Sequence, residues 1–304
     1  MCKSKIAFWI FIFLITIPAC QPIARPSISA TPVVYAAESF LADIAQNIAG
    51  DRLQVKALIP AGLDPHAFEP TPQDLVQLEQ SQMLILNGCG LEEWMDNLLE
   101  GALKDITIIE ACKGLTPRPP EAMSEHGDES DPHFWLDPIQ VNTYVENIRV
   151  GLTEIDPAGA EVYAQNAREY TIALQNLDKH IQTMVTQLPP EKRLLVTNHE
   201  NLGYFADRYG FKVVGAIIPS VSSGSSPTAQ QLAQLVQAMR SLQVNAIFLE
   251  VGANAQLADQ IASETGIRVV SELYSHSLSD LDGPAPTYLQ MMEYNTRVIV
   301  DALK

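Results

Sequence analysis

Short apolar runs alternate along the chain with longer segments in which apolar residues recur at helical spacing. The runs predict strands and the longer segments predict helices. In the first half the predicted strands are Val33–Ala36, Leu53–Ile59, Met83–Asn87 and Ile106–Ile109. The predicted helices between them are Ser39–Ala49, Thr71–Gln80 and Leu91–Glu100. This alternation is typical of an α/β fold with mostly parallel strands.

One long helical pattern interrupts the alternation between residues 157 and 188. Its apolar residues, from Tyr163 to Leu188, follow one another at steps of four and three, which is the spacing of one helix face. Asp156 is suited to the N-cap, Pro157 to the first turn, and two prolines after Leu188 end the pattern. At about 1.5 Å per residue, the segment predicts a helix roughly 48 Å long.

The alternation then restarts. The later predicted strands are Leu194–Thr197, Lys212–Ile217, Ala246–Glu250 and Arg268–Ser271, and the helices are Leu202–Tyr209, Ala229–Ser241, Ala255–Thr265 and Thr287–Leu303. The chain therefore predicts an α/β fold of two lobes, each with a roughly four-stranded, mostly parallel sheet flanked by helices. The lobes are residues 32–156 and 189–304, and one long rigid helix, residues 157–188, joins them.

The serine-rich segment Ser-Ser-Gly-Ser-Ser at residues 222–226 precedes one of these helices. It lacks the lysine that follows the glycines of a phosphate-binding P-loop. We interpret it as a flexible loop, with Thr228 as the N-cap of the next helix.

The first residues have the pattern of an export signal. Lys3 and Lys5 precede an apolar run, Ile6–Ile17, that ends before Pro18-Ala19-Cys20. About 12 apolar residues are too few for a membrane span of roughly 20. Residues 1–19 are predicted to be a signal peptide, and the stretch before Cys20 resembles a bacterial lipobox, which would make Cys20 the lipidated first residue. The alternative is an ordinary signal peptide cleaved elsewhere.

The Pro- and Ser-rich residues 20–31 then predict a lipid-anchored tether. The protein is expected outside the cytoplasm, attached to the outer face of the cytoplasmic membrane or in the periplasm.

The charge of the chain bears on the classes of partner that it can bind. It has 304 residues, of which 36 are acidic and 19 basic, for a formal net charge of -17. Such a balance argues against nucleic acid as a partner, because phosphate binding needs clustered Lys and Arg. It suits a protein that handles cations.

Two cysteines remain once Cys2 is removed and Cys20 is lipidated. Cys89 and Cys112 each follow a predicted strand. If those strands are neighbours in a parallel sheet, an exported protein can join the two thiols in a disulfide. Two separate buried thiols are the alternative.

Four of the six histidines occupy similar positions. His66, His199 and His276 lie beyond the C-terminal ends of predicted strands, and His133 precedes a predicted helix. In α/β folds that edge of the sheet is where ligands bind. Two of these histidines belong to each lobe, and four neutral imidazoles can complete a tetrahedron around zinc. Taken singly, each histidine would more usually be a solvated or capping loop residue.

The sequences around these histidines resemble a known family. DPHAFEP at 64–70, DPHFWLDP at 131–138, TNHENLGYF at 197–205 and PTYLQMMEYN at 286–295 together resemble the metal-binding lipoproteins of zinc and manganese ABC importers. The resemblance covers essentially the whole mature chain. It implies two α/β lobes joined by a rigid helix, a metal ion in the cleft between them and an ABC permease as partner. It also implies ligand roles for His66, His133 and His199.

Two positions bear on the choice of metal. The family usually places an aspartate within the stretch Leu273–Ser279, where this chain has His276, and manganese members often carry a carboxylate where it has His199. Four nitrogen donors lack the hard oxygens that favour manganese, so zinc is expected, with manganese or iron as the alternative. The fourth ligand could also be water or a nearby acid such as Glu200.

Further acidic residues are candidates for orienting the ligands. Asp64, Asp131 and Asp137 lie close in sequence to His66 or His133, and each could accept the second ring N–H of a histidine. For Asp137 helix capping is the competing explanation. Glu250, at a strand end, is either an alternative ligand, a residue that orients one, or structural.

The remaining two histidines have less specific surroundings. His126 lies among five acids in residues 121–131, which we interpret as a solvated acidic loop. His180 lies beside the apolar stripe of the long helix and is interpreted as a surface residue.

The leading hypothesis is therefore an extracytoplasmic solute-binding protein, expected to be a monomer and not an enzyme. A zinc-dependent hydrolase is the second hypothesis. His199-Glu200 begins like the HExxH motif, but Gly203 stands where that motif needs its second histidine, and four histidines would leave no position for a catalytic water. Surface adhesion is a third possibility that the sequence leaves open.

Overall fold

The computed structural model describes residues 33–95, 98, 101, 103, 106–118 and 130–304. The predicted signal peptide at 1–19, Cys20 with the tether at 20–31, and His126 lie outside the described residues.

A four-stranded sheet forms in the first half of the chain. Its strands are β1 (Val33–Ala36), β2 (Gln54–Ala57), β3 (Met83–Leu86) and β4 (Thr107–Glu110). They are ordered β2-β1-β3-β4, and every pair is parallel. The helices that follow or flank these strands are α1 (Ser39–Ala49), α2 (Pro72–Glu79) and α3 (Val141–Ile155).

A second sheet repeats this arrangement in the other half. Its strands are β5 (Leu194–His199), β6 (Lys212–Ile218), β7 (Ala246–Glu250) and β8 (Arg268–Leu273), in the order β6-β5-β7-β8 and again all parallel. Its helices are α5 (Gly203–Tyr209), α6 (Ala229–Leu242), α7 (Gln256–Thr265) and α8 (Tyr288–Leu303). The predicted α/β fold with two parallel sheets is thus confirmed.

The central strands explain why the apolar runs predicted strands so well. All four residues of β3 are buried, and so are the first four of β7. Strands with helices on both faces are apolar throughout, without the alternation of a half-exposed strand. In the predicted helical segment Leu91–Glu100, the described residues form a short 3₁₀ turn at Glu93–Met95, and Leu98 is helical.

The joining helix, α4, spans Ala160–Val185 and follows a 3₁₀ turn at Pro157–Gly159. Its 26 residues correspond to about 39 Å, shorter than the predicted 157–188. Asp156 does not cap it. Its carboxylate accepts a hydrogen bond from Tyr163 Oη at 2.5 Å and lies 2.7 Å from Arg52 Nη2. The tight proline turn therefore starts the segment, and the α-helix begins three residues later.

The two sheets share a core, which fixes how their edges face each other. Trp135 stacks on Phe40 with ring centroids 4.6 Å apart, and its indole N–H donates to the carbonyl of Ser275 at 2.7 Å. Tyr288 Oη donates to the carbonyl of Trp135 at 2.6 Å. These buried bonds join the segment around His133 to the segment around His276. Within the described residues, no helix has the length and apolarity needed to cross a membrane.

Candidate metal centre

Four histidines converge between the carboxyl edges of the two sheets. His66 lies in the 3₁₀ turn Pro65–Ala67 that follows β2, and His133 immediately precedes the turn Phe134–Leu136. His199 is the last residue of β5, and His276 follows the end of β8 by three residues. Each half of the chain therefore supplies two imidazoles, as the sequence predicts.

The four rings form a nearly regular tetrahedron. One nitrogen of each ring lies within 4.8 Å of one nitrogen of every other. The six distances between ring centroids all fall between 5.0 and 5.5 Å. His133 Nε2 lies 3.3 Å from His66 Nε2 and 3.4 Å from His199 Nε2. Four nitrogens at about 2.0–2.1 Å from one zinc ion would lie about 3.3–3.4 Å apart, so these two distances fit this coordination.

Burial keeps most of these rings in the form that binds metal. His133 and His199 are fully buried and His276 nearly so, whereas His66 is partly exposed. Burial, reinforced by the neighbouring histidines, lowers the pKa of His66 and of His276 to about 3. The same causes hold the pKa of His133 well below its usual range. These rings are therefore neutral near pH 7, as ligation requires.

Asp131 orients His133. Its Oδ1 accepts the backbone N–H of His133 at 3.0 Å and lies 2.8 Å from His133 Nδ1. An Nδ1–H donated to this carboxylate leaves Nε2 as the free donor, turned to the centre of the cluster. Burial raises the pKa of Asp131 to about 6, against the opposing effects of the His133 N–H and of Arg118, whose Nη1 lies 3.6 Å from Oδ2.

Glu250 has the corresponding position beside His199. Its Oε1 lies 3.1 Å from His199 Nδ1, and its carboxylate also accepts from the amides of Asn198 at 3.0 Å and Asn201 at 3.1 Å. Burial by itself would raise the pKa of Glu250 and lower that of His199. The attraction between the two groups outweighs burial, so the pKa of Glu250 falls and the pKa of His199 rises. The sequence singled out Glu250 but not the two asparagines that flank His199.

Asp64 supports His66 through the backbone. Its Oδ1 accepts the His66 backbone N–H at 3.0 Å, and its Oδ2 accepts a hydrogen bond from Ser223 Oγ. Nothing in the local sequence indicated Ser223, which is 159 residues away.

Two of the predicted acids lie elsewhere. Asp137 accepts the backbone N–H of Ile139 at 2.9 Å and lies 3.2 Å from Arg208 Nε. It is not the N-cap of α3, which is Gln140. His133 Nδ1 faces Asp131 and its Nε2 faces His66 and His199, so no ring N–H of His133 is directed at Asp137. The backbone N–H of Glu200 donates to the Ser220 carbonyl at 2.9 Å, and its side chain is buried. The group of convergent ligand atoms consists of imidazoles and does not include Glu200.

His180 and the cysteines lie outside the cluster. His180 lies on the exposed side of α4, where its Nε2 is 3.5 Å from a carboxylate oxygen of Glu293. Cys89 and Cys112 are joined in a disulfide that links the segments following β3 and β4, which are paired strands.

The sequence and the architecture are similar to those of known proteins. The family described as ZnuA, zinc-uptake complex component A, periplasmic, matches residues 34–302. The "Manganese-binding lipoprotein MntA" of Halalkalibacterium halodurans is 35% identical over 265 residues, which cover 87% of this chain and 86% of that protein. The "Iron-binding protein YfeA" of Yersinia pestis is 33% identical, with 86% and 83% covered.

Solved structures agree with the fold. A Mn-bound periplasmic metal binding protein from Candidatus Liberibacter asiaticus is 34% identical with a TM-score of 0.79, and the match covers 90% of this chain and all of that one. The periplasmic zinc binding protein TroA from Treponema pallidum has a TM-score of 0.82 at 26% identity, with 90% and 99% covered. These relatives carry the names of three different metals, so similarity alone does not choose among them.

Proposed function

Because this chain belongs to the ZnuA family of periplasmic zinc-uptake components, we propose that it captures zinc between its two sheets and delivers the ion to an ABC permease. The chain is a metal-binding component of an ABC importer, not an enzyme. The finer proposal concerns the metal and its ligands, which we take to be His66, His133, His199 and His276.

The tetrahedron of imidazoles is the observation that supports zinc as the bound metal. Its donor atoms are four nitrogens, two of its edges, 3.3 and 3.4 Å, match tetrahedral coordination at zinc distances, and three of its rings are held neutral by burial. Manganese prefers oxygen donors and higher coordination numbers, which a set of four imidazoles does not supply. Asp131 and Glu250 would act by orienting His133 and His199 rather than by binding the ion.

Manganese or iron is the second candidate, because some of the relatives are named for binding manganese or iron. Affinities for the metals separate the candidates. Purified protein stripped with a chelator is titrated with zinc and with manganese, each against a competing indicator. We expect one ion per chain and at least about a hundredfold tighter binding of zinc. Manganese binding as tight as zinc binding would contradict the assignment.

The same titration on His276→Ala tests the fourth ligand. Loss of one of four nitrogen donors is expected to weaken zinc binding at least tenfold. His180→Ala, which alters a histidine on the exposed side of α4, is the matched control and should bind as the unaltered chain does. Unchanged affinity in His276→Ala would remove His276 from the ligand set.

Export and anchoring complete the proposal. We infer that residues 1–19 are a signal peptide, that Cys20 carries the lipid, and that residues 20–31 tether the lobes 32–156 and 189–304, with their linker 157–188, outside the cytoplasm. The relatives include proteins named as lipoproteins, which supports the inference. Cys20→Ala should move the protein from the membrane fraction to the soluble extracytoplasmic fraction. We further propose that it acts as a monomer, which light scattering would test.

A further inference from the structure

We propose that Ser223 is a positioning residue that holds the His66 loop over the metal centre and thereby sets how fast the ion leaves. The proposal rests on the metal-binding function argued above and extends it to the exchange step. The His66 loop is defined as residues 60–67, between β2 and α2.

The His66 loop is the side from which the centre can open. His66 is the only partly exposed member of the tetrahedron, whereas His133, His199 and His276 are buried. It is carried by a 3₁₀ turn of three residues, whereas His199 belongs to a paired strand. An ion held by the other three imidazoles therefore reaches solvent most directly when this loop moves.

Two serines of the second half of the chain hold the His66 loop in place. Ser223 Oγ donates to Asp64 Oδ2, and the other carboxylate oxygen of Asp64 accepts the backbone N–H of His66 at 3.0 Å. The backbone N–H of Gly62 donates to Ser277 Oγ at 3.1 Å. Asp64 thus transmits the position of Ser223 to His66 through one side chain.

The serine-rich segment has enough internal structure to act in this way. Ser222 N–H donates to Ser220 Oγ at 3.0 Å, and Gly224 N–H donates to Ser222 Oγ at 3.4 Å. At its base, the Ser220 carbonyl accepts the backbone N–H of Glu200, the residue after His199. The segment interpreted from sequence as a flexible loop is therefore anchored beside one candidate ligand and reaches across the cleft to another. Thr228 caps the following helix, as predicted.

A close backbone approach also marks the closed position of the His66 loop. Gly252, in the turn after β7, has φ +90°, and a Cβ added there would lie 2.7 Å from the carbonyl oxygen of Gly62. The loop therefore rests directly on the second half of the chain. When it opens, the hydrogen bonds of Ser223 and Ser277 must break together.

A hydrogen bond to a carboxylate is stronger than one between neutral groups. Removing the hydroxyl of Ser223 leaves all four imidazoles intact but lowers the free energy needed to open the His66 loop. We therefore expect Ser223→Ala to accelerate zinc dissociation about tenfold, with little change in the association rate.

The test follows release of zinc from the full chain to an excess of chelator by stopped flow. Ser226→Ala, at an exposed serine of the same segment, is the matched control, and Ser223→Thr retains the hydroxyl. We expect faster release from Ser223→Ala alone among the three, an unchanged melting temperature of the metal-free protein, and a similar acceleration in Ser277→Ala.

Three results would overturn the proposal: release from Ser223→Ala within twofold of the unaltered chain, equal acceleration in Ser226→Ala, or no recovery in Ser223→Thr. These outcomes differ from a failure of the proposed function. In that case the unaltered chain itself would bind neither zinc nor manganese at one ion per chain.

Discussion

His133 Nδ1 lies 2.8 Å from Asp131 Oδ1, and both side chains are buried. This contact selects the tautomer of His133 in which Nε2 is unprotonated. Asp131→Asn retains the size of the side chain but removes the charge that holds the N–H in place. We expect zinc affinity to fall about tenfold, measured by competition with a chelating indicator.

Asp137→Asn is the control for this prediction. The residue has the same chemistry and lies four positions beyond His133, but its carboxylate accepts the backbone N–H of Ile139 and lies near Arg208. Its zinc affinity should stay within twofold of the unaltered chain. Equal losses in the two variants would show that Asp131 has no special role at the centre.

Proton competition should involve one histidine. The pKa of His66 and of His276 is about 3 and that of His133 is also lowered, so these rings are already neutral well below pH 6.5. His199, whose pKa Glu250 raises against the effect of burial, is therefore the first of the four rings to take up a proton as pH falls. As pH falls through the pKa of His199, zinc affinity should therefore fall about tenfold per pH unit, the slope of one released proton.

Titrations between pH 5 and 7, corrected for the indicator, measure this slope. Glu250→Gln removes the charge that raises the pKa of His199, so its decline in affinity should begin at a lower pH. A fall in zinc affinity of a hundredfold or more per pH unit, the slope of two released protons, would contradict the assignment of the proton to His199.

The histidines with a lowered pKa should reduce the stability of the metal-free protein on acidification. Because His66 and His276 have a lowered pKa in the folded state, the unfolded chain binds more protons between about pH 3 and 6.5. Their contribution to the free energy of unfolding is therefore lost as pH falls through that window. The raised pKa of Asp131, about 6, works in the opposite direction between its ordinary value and pH 6. Burial raises the pKa of Glu38 and, to about 7, that of Glu92, and these carboxyl groups also act in the opposite direction. The effect of the histidines is therefore measured by a variant. The free energy of unfolding at pH 7 minus that at pH 5, from denaturant unfolding, should be smaller in His66→Ala than in the unaltered chain, and an unchanged difference would contradict the prediction.

The disulfide should contribute to stability without contributing to binding. Cys89 and Cys112 are 23 residues apart in sequence, and a closed loop of that size corresponds to about 3 kcal/mol in the chain-entropy account. The double variant Cys89→Ala, Cys112→Ala should lose about that much free energy of unfolding and still bind one zinc ion. Reduction of the unaltered chain is the control for effects of the alanines. An unchanged unfolding midpoint in both would contradict the prediction.

The fold could be predicted from sequence because its signals are local. Buried parallel strands such as β3 are continuous apolar runs, and the apolar stripe of α4 repeats at helical spacing. The ends of α4 were less predictable. Asp156 has the chemistry of an N-cap, but Arg52, 104 residues away, and Tyr163 bind its carboxylate. A local pattern contains no information about such a distant competitor.

Some residues of the candidate centre could likewise be predicted from the sequence and others could not. The positions of three histidines beyond strand ends and of His133 before a helix, together with the family resemblance, brought all four into one prediction. Spacing could not decide between Asp131 and Asp137, because each lies within a few residues of His133 and only the folded backbone shows which carboxylate meets the ring. Ser223 was unpredictable for a different reason: its partner, Asp64, lies in the other half of the chain.

The identity of the residue at position 276 should decide the preference for the metal. His276 is buried, and its Nε2 has no hydrogen-bond partner among the described residues, as expected of a donor kept for an ion. His276→Asp would replace this nitrogen with a carboxylate, a harder donor that can bind through two oxygens. We expect the ratio of zinc affinity to manganese affinity to fall at least tenfold, mainly through weaker zinc binding. His276→Asn, which offers a neutral oxygen of similar size, should weaken the binding of both metals without comparable gain for manganese. If His276→Asp left the ratio unchanged while His276→Ala weakened zinc binding, selectivity would reside in the other three imidazoles and the geometry around them.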